Sequence, residues 1–581
     1  MSQSRNYSNS AVTLLEPLHK GTISYSNVAV EYVSTDVLVI GAGVAGCMAA
    51  LVASESGADV VLVEKAWVDR SGQAGAGNDH IMAHFNQSPE DSDAAVNEWA
   101  KQDTLCDVSV YDSVVTKNIP EVVRRLESFG IKFFKKRKTG EYLRTQSLGQ
   151  PAAWWLMIKN ADFLKPKLAN ALRRSSVKLY NWVMVTDLFK SKEGKIVGAC
   201  GFGIRKSSFY VFNSKCTILA TGDVVRLATN STGNPYNSFI SPYGTGTAQA
   251  LAFEAGAEIA DLELGKATLI PKGFSSPGMN AIAGMDAYLI NASGERYMFK
   301  YHPLGEKAPR FDMVYGTVRE TVEGRGPCFV DMRHLPEDER VMLVEELLSV
   351  DKLTYKDYLK AKNMDLSSAL LEIEPGEIST WKGLLIDEKC QCSVPGLYAA
   401  GSCSSVMNWG GLSVAMASGI SAGREAAIRA DKLNLSKISP DEIEDRKHRA
   451  FTPFFIETTS NAVRPADFEN KIRQVVARYL SSLRNEQGLL QAIKELEQLE
   501  NESSKMFALD THELMKLHEA LHLLTTVKLL AIGALNRKET RIFHWRDDFP
   551  KSIDPPLHLI LKKKRDSAGA EAVEILKRPV S

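Results

Sequence analysis

Residues 36–65, DVLVIGAGVAGCMAALVASESGADVVLVEK, restrict the fold more than any other stretch of the chain. An apolar run (Val37–Ile40) leads into G-A-G-V-A-G at 41–46, then a small-residue helical stretch, then a second apolar run (Val60–Val63). Strand, glycine turn, helix and strand make a βαβ unit. In that context each glycine has a physical task. Gly41 permits the tight turn, Gly43 lets backbone approach a pyrophosphate, and Gly46 lets helix and strand pack closely. The pyrophosphate would rest on the helix N-terminus, drawn by free N–H groups and the positive end of the dipole. Glu64 ends the second strand, 18 residues after Gly46. A carboxylate there accepts ribose hydroxyls and repels a 2′-phosphate. The competing reading is an ordinary α/β turn.

The 581 residues suffice for three or four domains at roughly 150 residues each. Lys+Arg and Asp+Glu both number 70, so formal net charge is zero, which argues against nucleic acid as a partner. No apolar run reaches about 18 residues, so no membrane insertion is expected. The N-terminus MSQSRNYSNS shows neither a secretory nor a twin-arginine pattern, and a cytoplasmic location is the default. The eight cysteines form no C-x-x-C, so neither a metal nor an iron–sulfur cluster held by this chain is expected. Cys390 and Cys392 could sit side by side on a strand, with a redox role as the rarer alternative.

Further along, residues 1–34 read as an irregular arm. Helices are predicted near 90–102, 110–129 and 156–174. Residues 180–220 alternate as a three-stranded ribbon with breaks at 192–195 and 205–208, leading into the buried strand TILATG at 217–222. From 262 to 385 the pattern turns irregular and reads as an inserted lobe. PGLYAAGSCSSV (395–406) returns as strand and glycine turn, and 412–430 is a small-faced helix that Ser413 is placed to cap. Helical spacing dominates after about 440, and a KKKR run stands at 562–565 in a turn-rich tail.

The glycine turn alone does not separate NAD from FAD. TILATG and PGLYAAG are similar to the strands that make room for the flavin end in two-dinucleotide-fold flavoproteins, which favours FAD. The chain as a whole resembles the flavoprotein subunits of the succinate dehydrogenase/fumarate reductase family, which includes L-aspartate oxidase and the alpha subunit of adenylylsulfate reductase. The resemblance spans about residues 30–581. It rests on GAGVAG, VEK (63–65), RSG (70–72), GTGTAQALAFEAGAEIADLE (244–263), NASGERY (291–297), GLYAAGSCSSV and RKETRIFHWRDDFP (537–550). VAVEYVSTDVLVIG (28–41), EGRGP (323–327) and WWLMIKNADFL (154–164) lean toward the adenylylsulfate reductase branch.

The resemblance implies an α/β fold: a Rossmann-like FAD-binding domain in two parts (35–261 and 386–432), an inserted α+β capping domain (262–385) and a C-terminal helical domain and tail (433–581). It implies FAD held by Gly41, Gly43, Gly46, Glu64, Lys65, Ser71, Gly72, Val185, Ala220, Thr221, Gly222, Gly401 and Ser413. Gly72 stands where succinate dehydrogenases carry the histidine that bonds to flavin, so FAD is expected to be non-covalent. The family's two substrate histidines are replaced by Thr268 and Ile378, and its carboxylate-binding arginine loop by NWGGLSVAM (408–416). Two carboxylates need several fixed cations, so a dicarboxylate substrate is disfavoured.

Arg310, matched to the family's proton-donating arginine, joins His84 and Trp155 as catalytic candidates. A surface ion pair or core packing is the alternative for each. Arg319, Arg325, Lys266 and Lys272 could supply charge for sulfite and a nucleotide phosphate, and Trp154 or Trp155 could shield the flavin. His80, His302 and His544 are weighed as acid–base or structural, and Trp381 and Trp409 as pocket wall or core. The partners implied are a small-molecule substrate and a separate iron–sulfur, ferredoxin-like subunit, with oligomerisation open. Three readings follow: a catalytic subunit like that of adenylylsulfate reductase; a stand-alone dehydrogenase, desaturase or oxidase on an organic acid or amine; and a flavin electron-transfer component without small-substrate turnover.

Overall fold

The computed structural model describes residues 28–78, 80–83, 97, 105–146, 154–206, 208–227, 240–274, 286–341, 353–380, 382–406, 411–458, 461–481, 483–565 and 571–581. The nucleotide-binding part comprises β1 (Ala29–Ile40), α1 (Val44–Glu55), β2 (Val60–Glu64), β3 (His80–Met82), α2 (Val108–Val114), α3 (Ile119–Ser128), β4 (Arg144–Gln146), β5 (Trp154–Met157), α4 (Leu164–Arg173), β6 (Lys178–Asn181), β7 (Val183–Lys190), β8 (Ile196–Gly203), β9 (Ser208–Leu219), α5 (Thr247–Glu254) and β10 (Ile259–Ala260). The lobe after it holds β11 (Lys266–Pro271), β12 (Tyr288–Ile290), α6 (Arg310–Val322), β13 (Cys328–Asp331), α7 (Glu337–Val341), α8 (Leu353–Ala361) and β14 (Leu371–Ser379). The chain returns through β15 (Leu397–Ala399) and α9 (Leu412–Asp431). It ends in α10 (Pro440–Phe451), α11 (Pro465–Tyr479), α12 (Glu486–Glu502), α13 (Thr511–Asn536) and the hairpin β16 (Leu557–Arg565) and β17 (Glu571–Pro579).

The main sheet runs β6-β2-β1-β9-β8-β7, with β15 also on β9. β1 is parallel to β2 from Val37↔Val60 and to β9 from Ala29↔Ser208 through Ile40↔Leu219. β15 adds Leu397↔Thr217. Val37–Ile40 and Val60–Val63 are apolar and buried throughout, as strands inside a covered parallel sheet require, and α1 and α9 pack side by side against it. β7, β8 and β9 form the antiparallel ribbon that the alternation at 180–220 predicts. A separate antiparallel sheet, β11-β14-β13-β12, carries α6 on the inserted lobe. Phe468, Ile472, Leu489, Leu496, Leu517 and Leu524 close a further core between α11, α12 and α13.

Four expectations meet a different structure. Strand pairing starts at Ala29, inside the segment read as an irregular arm, because β9 extends far enough to pair with it. The helix expected over 110–129 is broken by a 3-10 turn at Thr116–Asn118, and α3 restarts with Pro120 in its first turn, where a missing N–H costs nothing. Residues Trp154–Met157 pair with β3 and β4 rather than opening the helix, which begins at Leu164. The tail, by contrast, forms a hairpin added to β10 in which the KKKR run is the strand end that its position after an apolar run suggests, matched by Glu258, Glu254, Glu571 and Glu574. Of the stretch 90–102 only Asn97 lies among the described residues. Cys390 and Cys392 share no strand: Cys390 closes the turn from Asp387 with φ 60°, and Cys392 follows it in an isolated bridge to Ile386. All eight cysteines are buried and free. No described helix is long and apolar enough to cross a membrane.

Candidate cofactor and substrate site

The turn at 41–46 is held by backbone meeting backbone. Gly41 has φ 98°, and a Cβ there would stand 2.6 Å from the Ala220 carbonyl oxygen. A Cβ on Gly46 would collide with the Gly41 carbonyl. Gly43 starts α1 in extended conformation, and Gly72, at φ 80°, lies so close that a Cβ would sit 2.8 Å from Gly43 Cα. Among the described residues the N–H groups of Gly43, Val44 and Ala45 have no hydrogen-bond partner. They are the unsatisfied donors of a helix start, at the positive end of its dipole. The Glu64 carboxylate is fixed over the turn by the Ala42 N–H (2.7 Å) and the Ala66 N–H (2.8 Å). Each of its oxygens keeps a lone pair for a further donor.

Of the other expected cofactor residues, Ser71 and Ala220 touch this turn directly. Ser71 donates to the Ala42 carbonyl at 3.1 Å. Ala220 donates to Ile40, and the Thr221 hydroxyl receives the Ala248 N–H at 2.9 Å. Gly222 has φ 83° with open space where a side chain would point. Val185 is buried on β7 at a register shift. Lys65 is tied to the Tyr243 carbonyl at 2.6 Å and to Glu519 at 2.5 Å. Gly401, at φ 76°, lies between two helix starts, where a Cβ would approach Ala45 Cβ to 2.9 Å and Ala415 Cβ to 3.9 Å. Gly419 and Gly423 bring α9 onto the Ala45 and Ala49 carbonyls, so the N-termini of α1 and α9 converge.

Ser413 does not cap α9. The helix already begins at Leu412 with Gly411 as its boundary, so Ser413 lies within the first turn. Its hydroxyl is fully buried and without a partner among the described residues. The same holds for Thr245, Ser379 and Thr380 Oγ and for both ends of the Gln249 amide. Val224 bridges Thr245 and Thr380, and Gln249 packs against Gly383, so these groups collect where the nucleotide domain meets the inserted lobe. A buried polar group left unpaired costs about 1–3 kcal/mol. Several together mark the place of a polar ligand.

Arg310 opens α6 and is partly buried; burial lowers its pKa to about 10. The neighbouring Phe311 meets Phe543 edge-on at 6.4 Å, and Phe543 borders Gly265 beside the Ser379 carbonyl. The start of α6 thus reaches the corner that holds Ser379. Thr268 is buried on β11 opposite Gly376. Ile378 belongs to β14, with its side chain outside the described residues. Three of the cations considered for anion binding are engaged by carboxylates. Arg319 meets Glu323 and Asp547, Arg325 meets Glu320 and Glu323, and Lys272 meets Glu372 at 2.5 Å. Lys266 lies close enough to Asp223 to oppose the upward push of burial on that carboxyl.

Trp155 is buried on β5 with its ring edge-on to His80 at 4.4 Å and its N–H without a partner among the described residues. Trp154 shares β5, but its side chain, like His84, Trp381 and Trp409, lies outside the described residues. His302 accepts the Leu304 N–H through Nδ1 at 3.2 Å. His544 is structural: Nδ1 accepts from Arg484 at 2.7 Å and Nε2 donates to the Arg537 carbonyl at 3.0 Å. Burial and the Arg484 charge hold it well below the ordinary histidine range.

Sequence reasoning passed over Thr245, Gln249, Ser379, Thr380, Asp223 and the buried ion network of Lys65, Glu519, Arg226 and Glu469. Burial resists the charge on Glu519, but Lys65 and Arg226 outweigh it and hold the carboxyl down at about 2. The available signal was a polar residue inside an apolar helical run, as with Gln249 in TAQALAF or Glu519 in LHEALHLL.

A parallel nucleotide sheet, N–H groups over a glycine turn that are unpaired among the described residues, and buried unpartnered polar groups where the inserted lobe meets that sheet define a dinucleotide-binding protein. Sequence comparison agrees: the FAD binding domain family matches residues 36–412, and the Fumarate reductase flavoprotein C-term family matches 469–579. The chain belongs to the succinate dehydrogenase/fumarate reductase flavoprotein family, and its cofactor is FAD. It is 27% identical to one component of the fumarate reductase (CoM/CoB) of Methanothermobacter marburgensis over 90% of this chain and 96% of that protein. It is 26% identical to L-aspartate oxidase of Streptomyces coelicolor over 89% of each. Among solved structures, adenylylsulfate reductase from Archaeoglobus fulgidus shares the fold with a TM-score of 0.79 and 23% identity, over 98% of this chain and 99% of that one. The open donors at 43–45 and the unpartnered buried hydroxyls fit FAD.

Proposed function

We propose that the protein exchanges electrons between a small anionic substrate, held beneath the inserted lobe beside Arg310, and a separate redox partner. The observation that carries this reading is the set of buried, unpartnered polar groups (Thr245, Gln249, Ser379, Thr380 and Ser413) at the junction of the two parts. In this reading Gly43, Val44 and Ala45 offer N–H groups to the FAD diphosphate, Glu64 orients the ribose, and Gly401 and Gly222 leave room for the ribityl chain. Bound FAD supplies the electron-accepting centre. Gly72 offers no side chain to bond it, so FAD is non-covalent. A substrate anion would meet Arg310 in a partly water-free corner, where a charge-assisted hydrogen bond is strengthened. An iron–sulfur protein is the proposed electron partner. Supporting this, several relatives are named as subunits of larger enzymes, among them the succinate dehydrogenase flavoprotein of Coxiella burnetii.

Adenylylsulfate-reductase-like chemistry is the first substrate class to test. The test is anaerobic bleaching of the bound flavin by sulfite plus AMP, alongside a panel of organic acids and amines. Bleaching by sulfite plus AMP supports the reading. A second reading, a stand-alone oxidase or dehydrogenase on an organic acid or amine, draws support from the engagement of Arg319, Arg325 and Lys272 by carboxylates. It predicts bleaching by an organic substrate and peroxide formation in air. No bleaching by any member, with a tightly bound redox protein, would sink both in favour of an electron-transfer role. Thr268 and Ile378, in place of the family's substrate histidines, speak against fumarate or succinate. Release of all flavin on acid precipitation checks the non-covalent assignment.

A further inference from the structure

Lys165, the second residue of α4, is fully buried. Its ammonium donates to the Ala42 carbonyl at 2.5 Å. That carbonyl also receives the Ser71 hydroxyl at 3.1 Å and the Cys47 thiol at 3.3 Å. Lys165 Nζ lies 3.4 Å from Cys47 Sγ. Burial pushes the Cys47 thiol up despite the lysine, so it stays neutral and brings no counter-charge. Among the described residues Lys165 has no carboxylate within ion-pairing distance. Asp69 is engaged by Arg173, and Glu64 by two backbone N–H groups. A buried ammonium without a counter-charge is strongly unfavourable.

We propose that Lys165 is an electrostatic anchor for the FAD diphosphate, acting through the Ala42–Gly43 peptide. The Ala42 carbonyl and the Gly43 N–H belong to one amide. Three donors on that carbonyl, one of them cationic, pull electron density away from the nitrogen and strengthen its N–H as a donor. The Gly43 N–H is one of the unpartnered groups that open α1. A diphosphate bound there supplies the negative charge that the lysine lacks. Lys165 is therefore a positioning residue: it acts on the cofactor through the turn and the long-range field. The α1 dipole is reinforced by a full charge placed under the same peptide.

The test uses full-length protein stripped of flavin and reloaded. Lys165→Met removes the charge and keeps much of the side-chain volume. Its affinity for FAD and for ADP-ribose should fall about 10- to 100-fold, as expected when one buried positive charge no longer attracts the diphosphate. Riboflavin, which lacks the diphosphate, should bind unchanged. The flavin-free variant should melt at the same or a higher temperature than flavin-free wild type, since an uncompensated buried charge has gone. A purely structural lysine gives the opposite pattern: lower melting with and without FAD, and unchanged FAD affinity. Equal weakening toward riboflavin and FAD would overturn the proposal as well. If Lys165→Met does not fold, Ser71→Ala and Cys47→Ala each remove one donor from the same carbonyl. A several-fold loss of FAD affinity with riboflavin unaffected then supports the proposal, and unchanged FAD affinity in both overturns it.

Discussion

At the nucleotide end of the cleft, Gly41, Gly43, Gly46 and Gly72 meet Ala220 and one another backbone to backbone. At the substrate end, Thr245, Ser379, Thr380 and Arg310 offer chemistry through side chains. Backbone complementarity tolerates almost no substitution, because a single Cβ fills the space on which the turn depends. Side-chain chemistry can change while the surrounding sheet stays intact. The same contrast explains why the motifs of the nucleotide end are so recognisable, while Thr268 and Ile378 depart from the family's histidines.

Breaking the nucleotide end should have the largest effect. Gly46→Val drives a branched side chain into the Gly41 carbonyl, and a loss beyond about 4 kcal/mol is expected, with no folded FAD-loaded protein recovered. Recovery of stable holoprotein would show that the turn does not depend on this close approach. Next comes Glu519→Leu, which leaves Arg226 and Lys65 without their shared carboxylate. Losing one partner of a buried pair costs about 3–5 kcal/mol, measurable by denaturant unfolding. A change near zero would show that the network is not what docks α13.

Arg310→Met should leave flavin content and melting temperature unchanged. It should cut kcat/KM for the substrate found by bleaching about 100-fold, or about 2.7 kcal/mol. Loss of flavin along with turnover would place Arg310 at the nucleotide end instead. The smallest effect concerns His558 on β16, outside both ends, whose ring meets Asp261 at 2.7 Å. Burial opposes a charge on His558, but Asp261 and Asp107 outweigh it and raise its pKa to about 9 from the ordinary 6.5. A folded-state pKa above the unfolded one stabilises fully below the unfolded value and fades as pH rises through the folded value. Melting temperature should therefore decline between pH 6.5 and 9, and His558→Gln should flatten that decline. Equal slopes in the two proteins would exclude His558 as its source.

The nucleotide turn could be read from the chain because its signature is local, although its close contacts with Gly72 and Ala220 are not. Strand, glycines, helix and Glu64 lie within one contiguous segment. The ribbon over 180–220 was legible for the same reason. Ser413 was misread because its position near a helix start fits a cap, and only the actual start at Leu412 shows it inside the first turn. Residues 156–157, at the start of the helix expected over 156–174, pair instead with β3, which is remote in sequence, and with the three-residue β4, whose shortness hides its alternation. Arg319 and Arg325 carry charge suited to anions, but the fold sets Glu320, Glu323 and Asp547 against them.

The sequence by itself determined the βαβ unit, which rests on local glycine spacing and apolar runs, and through the resemblance carried by motifs such as GLYAAGSCSSV and RKETRIFHWRDDFP it pointed to the family and to FAD. Only the tertiary structure decided which charges are compensated and which polar groups are left open. It set Lys165 beneath the Ala42 carbonyl and Glu519 against Lys65. It also gathered Thr245 and Thr380 around Val224. Whether a polar group is satisfied depends on atoms hundreds of residues away, and hydrogen bonding and charge pairing act only over a few ångströms in the folded chain.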